Sequence, residues 1–381
     1  MPASATQSGG AGLPAAHSAP PTLGAEEEFL LVDAETLVPV DAAERVLDVH
    51  HRLHPKGAVT VPQRELLSSM IETTSPVCAG LPELRAEVSA ARERLVEAAA
   101  KAGCRVLAHG TAARQAPPRT PTEAPHYRDV AGLYRLLAQG TETCGCHIHV
   151  GVPDREAAVH ALDHVRPWLP VLLALSANSP YEHGVDTGFA SWRTMVLSRW
   201  PTTQIPPYFT DAADYDATHR RLFATGVLPE RARNAYWLAR PSAHVPTLEV
   251  RVADVMPTVR EVAAQAGLTR ALVVTALRER AAGRVPAPVP AHDVAAALWT
   301  AARYGLGGSL VHPESGTAVL AGEAVAALLA HVGEALADLG DEEEVTAVVR
   351  DLLHRGEPAR RQRAAARGQA PGDVGEWGVV G

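Results

Sequence analysis

Three stretches of the chain, residues 22–33, 144–152 and 246–254, alternate polar and apolar side chains with a period of two, the pattern of strands whose two faces meet different surroundings. In the first, Glu26 and Glu28 share a face with Leu30, while Glu27 shares the other with Phe29 and Leu31. In the second, His147 and His149 fall on one face and Cys146, Ile148 and Val150 on the other. In the third, Thr247, Glu249 and Arg251 oppose Leu248, Val250 and Val252. Each reads as an antiparallel strand with an apolar face against helices and a charged face toward a cleft.

Between these strands the period lengthens to that of helices. Leu84, Val88, Ala91, Leu95 and Ala99 line one side of residues 82–102, with Pro82 at the start and Gly103 at the end. Residues 153–178 read as one long helix. Thr258 and Glu261 form a capping box that opens another, running to about residue 282, and further helices are predicted at 291–303, 321–339 and 342–354. Residues 103–112 suggest a short buried strand, with His109 as a satisfied core or loop residue.

Residues 59–76 are ambiguous. The spacing of Glu65 and Glu72 puts them on one face of a helix but on opposite faces of a regular strand. Together the elements predict an α+β fold, a curved antiparallel sheet backed by helices. The expected organisation is a disordered leader over residues 1–20, a single domain over 21–355, and an Arg, Pro and Gly rich tail over 356–381.

Composition narrows the function. The chain has 381 residues, 46% of them hydrophobic, enough for a large core. A net charge of -8 offers no basic field for a phosphate backbone, so nucleic acid is not an expected partner. The only lysines are Lys56 and Lys101, and no Gly-rich loop ends in Lys-Ser or Lys-Thr, so a phosphate must be held by other means than a Walker cradle. Four cysteines in a chain this long make no disulfide framework. The longest apolar run, residues 168–177, is short and broken by Pro170, so no membrane span is predicted and a cytoplasmic location is expected.

The polar faces then carry the chemistry. Glu26 and Glu28 on one strand face would sit ~6.6 Å apart, repelling by about 0.6 kcal/mol in water and roughly 2 to 3 kcal/mol at an effective dielectric of about 20. A solvated strand edge tolerates that, whereas a cleft calls for cations. The histidines of 144–152 lie opposite its cysteines, which disfavours a mixed Cys-His zinc site and suits a divalent metal beside carboxylates or a substrate anion. Residues 178–201, dense in polar, aromatic and glycine residues, resemble a substrate rim in which Arg193 and Arg199 could clamp a carboxylate or phosphate.

These segments, Gly24-Ala25-Glu26-Glu27-Glu28-Phe29, Glu65 to Pro76, Cys144 to Val152, Asn178 to Pro201 and Thr247 to Asp254, stand in the order found in the type 2 glutamate-cysteine ligase family, which the chain resembles over about residues 22–363. The resemblance implies a fold like the glutamine synthetase catalytic domain, in which the sheet forms an active-site funnel and Mg2+ or Mn2+ ions hold ATP. It implies Glu26, Glu28, Glu72, His147 and Glu249 as metal ligands, Arg251 as a catalytic arginine, and Arg193 as a contact to substrate or phosphate, with Glu65 and His149 as further candidates. It also implies small carboxylate and amine substrates joined through an acyl phosphate, weak glutamate-cysteine ligase activity, and a homodimer. Two other readings stay open: a metal-dependent amide hydrolase using the His-x-His strand, and a noncatalytic nucleotide- or metal-binding module.

Overall fold

The computed structural model describes residues 19–55, 61–117, 119–232, 234–370 and 372–381. The leader expected over residues 1–20 lies almost wholly outside them, as do residues 59 and 60.

The strands, in chain order, are β1 (Leu23–Asp33), β2 (Gln63–Arg64), β3 (Met70–Thr74), β4 (Cys104–Leu107), β5 (Gly145–Gly151), β6 (Tyr181–Glu182), β7 (Val185–Asp186), β8 (Ala239–Pro241), β9 (Thr247–Asp254), β10 (Ser309–Val311) and β11 (Ala318–Leu320), the last two pairing with each other. The main sheet runs β2-β3-β1-β5-β9-β8, with β4 also pairing β1, while β6 and β7 form a separate hairpin. Every pairing in the main sheet is antiparallel. The expected α+β architecture is thus present, with the three alternating strands β1, β5 and β9 adjacent at its centre.

Paired residues point to the same face, so the register decides what meets. Glu28 lies opposite Glu72, Glu26 opposite His147, His149 opposite Glu249, and Glu249 opposite Arg240. The apolar faces of the same strands, with Leu23, Ala25, Cys146, Ile148, Val150, Leu248, Val250 and Val252, form one buried core with residues of the Leu81–Lys101, Arg155–Val165 and Val259–Ala281 helices. Burial of apolar surface on this side holds the charged side chains on the other.

Glu27 is the exception on the apolar face. It is 1% exposed, and the Arg92 guanidinium from the helix beneath donates to both its oxygens at 2.6 and 3.1 Å. Arg92 also donates to the carbonyls of Met256 and Pro257. The middle carboxylate of the triplet therefore fastens a helix to the sheet.

Three expectations change. Residues 153–178 do not form one helix: Arg155–Val165 is followed by a 3-10 turn, Arg166–Trp168, and then Leu169–Ser176. Pro167 and Pro170 lack the N–H that a continuous helix needs there. The described part of that stretch, residues 61–76, holds β2 and β3, and Glu65 lies in the segment between them, so it is freed from strand alternation. The stretch from residue 356 is packed rather than a tail: Pro358–Ala365 is helical, Gln362 donates to the carbonyl of Asn178, and Val379 bridges Leu107. Its Arg and Pro content hid a helix that Pro358 starts at the first turn, where proline costs no hydrogen bond.

Replacing Arg92 by Met should cost about 3 to 5 kcal/mol in urea unfolding, because it strands a buried charge, and adding Glu27→Leu should recover most of it. A loss below 1 kcal/mol for Arg92→Met alone would show that the pair does not fasten this helix.

Candidate active site

Glu26, Glu28, Glu65, Glu72, His147, Arg193 and Arg251 line one cleft of about 240 Å3. Its far walls come from Tyr127 and Val130 of the Pro125–Tyr134 helix and from Leu197, Trp200, Tyr236 and Leu238. Tyr127 is anchored by its hydroxyl, which donates to the carbonyl of Arg64 at 2.6 Å. Sequence periodicity gave no sign of this short helix, which has only Val130 and Tyr134 fully buried.

The acidic side chains form two groups. Donor atoms of Glu26, His147 and Glu249 lie within 4.8 Å of one another, and so do those of Glu28, Glu65 and Glu72. His147 links the groups, with Nδ1 3.0 Å from Glu26 Oε2 and Nε2 3.6 Å from Glu28 Oε1. That Nε2 is buried and has no hydrogen-bond partner among the described residues. His149 is set by its Nδ1, 2.9 Å from Thr247 Oγ1, and its Nε2 lies 3.2 Å from Glu26.

The electrostatics follow from this crowding. Burial raises the Glu65 carboxyl to about 7, with repulsion from Glu28 adding to it, and burial together with Glu65 raises Glu72 well above the usual range. Burial also opposes ionisation of Glu26, but hydrogen bonds from His147 and His149 outweigh it and hold its carboxyl low. For Glu249 the charges of Arg240 and Arg251 overcome burial and hold it well below the usual range. His147 is lowered by burial and by Arg251, whereas in His149 the bond to Glu26 overcomes burial and raises it. Glu65 and Glu72 thus favour their protonated forms where a divalent cation would displace the proton. Oxygen donors with one imidazole suit Mg2+ or Mn2+, so the residues fit such an ion.

Arg251 donates to Glu249 Oε1 and lies 3.3 Å from His147 Nδ1. Arg193 reaches the cleft through a gap in the strand. A Cβ on Gly145 would lie 2.2 Å from Arg193 Nη2, so only glycine leaves room for the guanidinium, and the Gly145 N–H donates to Glu28 at 2.6 Å. Arg193 is 3% exposed and its Nε has no hydrogen-bond partner among the described residues.

A β-bulge supplies the support behind it. Cys146 pairs with Ala253 but Ile148 with Val250, so two residues of β9, Arg251 and Val252, oppose His147 alone. Simple alternation would turn Asp254 toward the helices with Leu248, Val250 and Val252. The bulge instead pairs it with Gly145, beside Arg193, with Asp254 Oδ1 3.7 Å from Nη1. Asp254 accepts from the Asn178 N–H at 2.8 Å and from the Ser179 and Ser191 hydroxyls at 2.7 and 2.9 Å.

Arg199 stands apart. It is exposed, its Nε donates to the Val196 carbonyl, and it does not line the cleft. Arg240 was missed because its strand, Ala239–Pro241, is too short to show a period. It donates to Glu249 from Nε at 2.8 Å and from Nη2 at 3.1 Å.

The sheet and its helices have the glutamine-synthetase-like ligase fold. The structure is similar to a bifunctional glutathione synthetase from Pasteurella multocida (TM-score 0.63, 15% identity, 93% of this chain and 51% of that one). It is also similar to a glutamate-cysteine ligase from Francisella tularensis in complex with AMP (TM-score 0.60, 11% identity, 94% of this chain and 87% of that one). The chain spans about half the length of the Pasteurella protein.

The chain belongs to glutamate-cysteine ligase family 2, whose profile matches residues 22–377, and it is a ligase of that type. It is 43% identical over 354 residues to "Putative glutamate--cysteine ligase 2-2" of Saccharopolyspora erythraea, covering 93% of this chain and 90% of that protein. It is 44% identical over 347 residues to "Putative glutamate--cysteine ligase 2" of Salinispora arenicola, covering 90% and 89%.

Gly145→Ala should push the Arg193 guanidinium out of its gap and lower turnover by about 10²-fold, the scale of a 1 Å misplacement. The thermal midpoint should fall by no more than about 4 °C, since the displaced group is the end of a flexible side chain. Unchanged turnover in Gly145→Ala would show that Arg193 does not need this position.

Proposed function

We propose that the protein joins a carboxylate to an amine with ATP as the phosphoryl donor, through an acyl phosphate. The observation that carries this reading is the pair of adjoining acidic groups on one sheet face, each three donors strong, with Arg251 and Arg193 beside them. Phosphoryl transfer needs charge neutralisation and alignment more than covalent help, and this face supplies both.

Glu26, His147 and Glu249 would hold one divalent cation, and Glu28, Glu65 and Glu72 a second. When bound, Mg2+ or Mn2+ neutralises phosphate charge and lowers the repulsion that an anionic acid meets on approach. Arg251 stabilises negative charge on the transferred group, the task for which this chain has no P-loop lysine. Arg193 orients the acid within the 240 Å3 cleft, whose apolar walls exclude water that would compete with the amine.

The nucleotide is assigned to the wider opening, about 800 Å3, lined by Glu249, Arg240, His126 and His244 together with Glu230 and Arg231, where the Arg240 guanidinium offers a phosphate contact; Arg231 is paired with Asp129. The acid oxygen attacks the γ-phosphorus and ADP departs; the amine then attacks the acyl carbon and phosphate leaves. Among the described residues no helix is long and apolar enough to cross a membrane. Four free, buried cysteines fit action in the reducing cytoplasm.

The test is ADP release with Mg2+ and ATP, comparing glutamate alone, glutamate plus cysteine, and panels of other acids and amines. ADP that depends on both an acid and an amine, with the amide seen by mass spectrometry, is the expected result. Nucleotide binding without ADP from any pair would favour a binding module, and amide cleavage without ATP a hydrolase. Glu28→Gln and Glu249→Gln should each abolish ADP release in a protein that stays folded, with a lower unfolding midpoint for Glu249→Gln because it weakens the pairing of Arg240 and Arg251, and wild-type rates in either would remove the cation assignment.

A further inference from the structure

Glu249 is 3% exposed and already has its charge compensated twice. Arg240 donates to both of its oxygens and Arg251 donates to Oε1. A divalent cation placed on the same carboxylate beside both guanidinium groups would meet strong repulsion at short range. Withdrawal of one arginine would relieve that repulsion.

The two arginines face different openings. Arg251 belongs to a central strand, where its backbone N–H donates to the Leu238 carbonyl and its side chain lies against His147. Arg240 belongs to the three-residue edge strand β8 and lines the wide opening with Arg231, Asn234 and His244. Besides its two bonds to Glu249, its Nη1 donates to the Ala235 carbonyl at 2.8 Å.

We propose that Arg240 holds the place of the cation on Glu249 and transfers to a nucleotide phosphate when ATP enters, leaving Glu249 to the cation. Phosphate offers the guanidinium the same forked acceptor as the carboxylate it leaves. Each state is charge-compensated: Arg240 on Glu249 in the empty site, Arg240 on phosphate and the cation on Glu249 in the loaded one. Cation and nucleotide then favour each other's binding, and the coupling is reciprocal. The exchange rests on the assignment of the nucleotide to the wide opening.

The test needs no turnover. Mn2+ binding to the nucleotide-free protein is followed by electron paramagnetic resonance at the site that Glu249→Gln removes, and binding of ADP in EDTA by calorimetry, for wild type, Arg240→Met and Arg240→Lys. Arg240→Met should bind Mn2+ more tightly and ADP more weakly, each on the order of 10-fold. Arg240→Lys, which keeps the charge and loses the fork, should stay near wild type for Mn2+ and lose part of its ADP affinity.

The opposite signs are the signature, because a merely structural loss would weaken both ligands. If both weaken in Arg240→Met, or neither changes, the exchange is wrong while the ligase reading stands. If wild type binds neither Mn2+ nor ADP, the ligase reading falls and the exchange falls with it.

Discussion

Repulsion among carboxylates gathered on one face of a sheet is the constraint to which the rest of this structure answers. Glu26, Glu28, Glu72 and Glu249 are brought together by strand register, and Glu65 joins them from the segment between β2 and β3. In the absence of cations the chain contains that charge with protons on Glu65 and Glu72, imidazoles beside Glu26, and two guanidinium groups on Glu249. Such a site is costly to fold and ready to take up positive charge. The opposite face of the sheet bears the stability, through an apolar core and the Glu27–Arg92 pair.

Geometry at β5 converts that charge into a shaped site. Gly145 leaves a gap for Arg193 and gives its N–H to Glu28, so the acidic group and the guanidinium are registered on the same residue. The bulge in β9 brings Asp254 to the back of Arg193, and Ser179, Ser191 and Asn178 hold Asp254 in turn. Rigid elements thus place the groups that line the cleft, while Arg240 lies on the edge strand and faces a second opening of about 800 Å3.

Much of this was legible from period alone. Alternation in residues 22–33, 144–152 and 246–254 located the three central strands and the correct face for Glu26, Glu28, His147, Glu249 and Arg251. Local alternation says nothing of which strands pair, so the meeting of Glu28 with Glu72 and of Glu249 with Arg240 could not be read without the register. The role of Asp254 was hidden because a bulge breaks the period it would be judged by. Arg199 shared a motif with Arg193 but not its position: Arg193 sits in the first turn of the Trp192–Leu197 helix facing the cleft, and Arg199 follows the helix end into solvent. Family resemblance supplied what spacing could not, the proposed ligand set and the type of ligase, and Glu65 reaches the cleft from the segment between β2 and β3, which neither period predicted.

Carboxylate activation by phosphoryl transfer leaves an isotopic record. With an acid labelled with 18O in its reacting carboxylate, plus Mg2+, ATP and an amine that supports amide formation, the mass of the released phosphate reports the path of oxygen. An acyl phosphate predicts that every phosphate released with an amide carries one labelled oxygen taken from the acid. Unlabelled phosphate accompanying the amide would mean that ATP is cleaved by water and that this face of the sheet does not activate the acid.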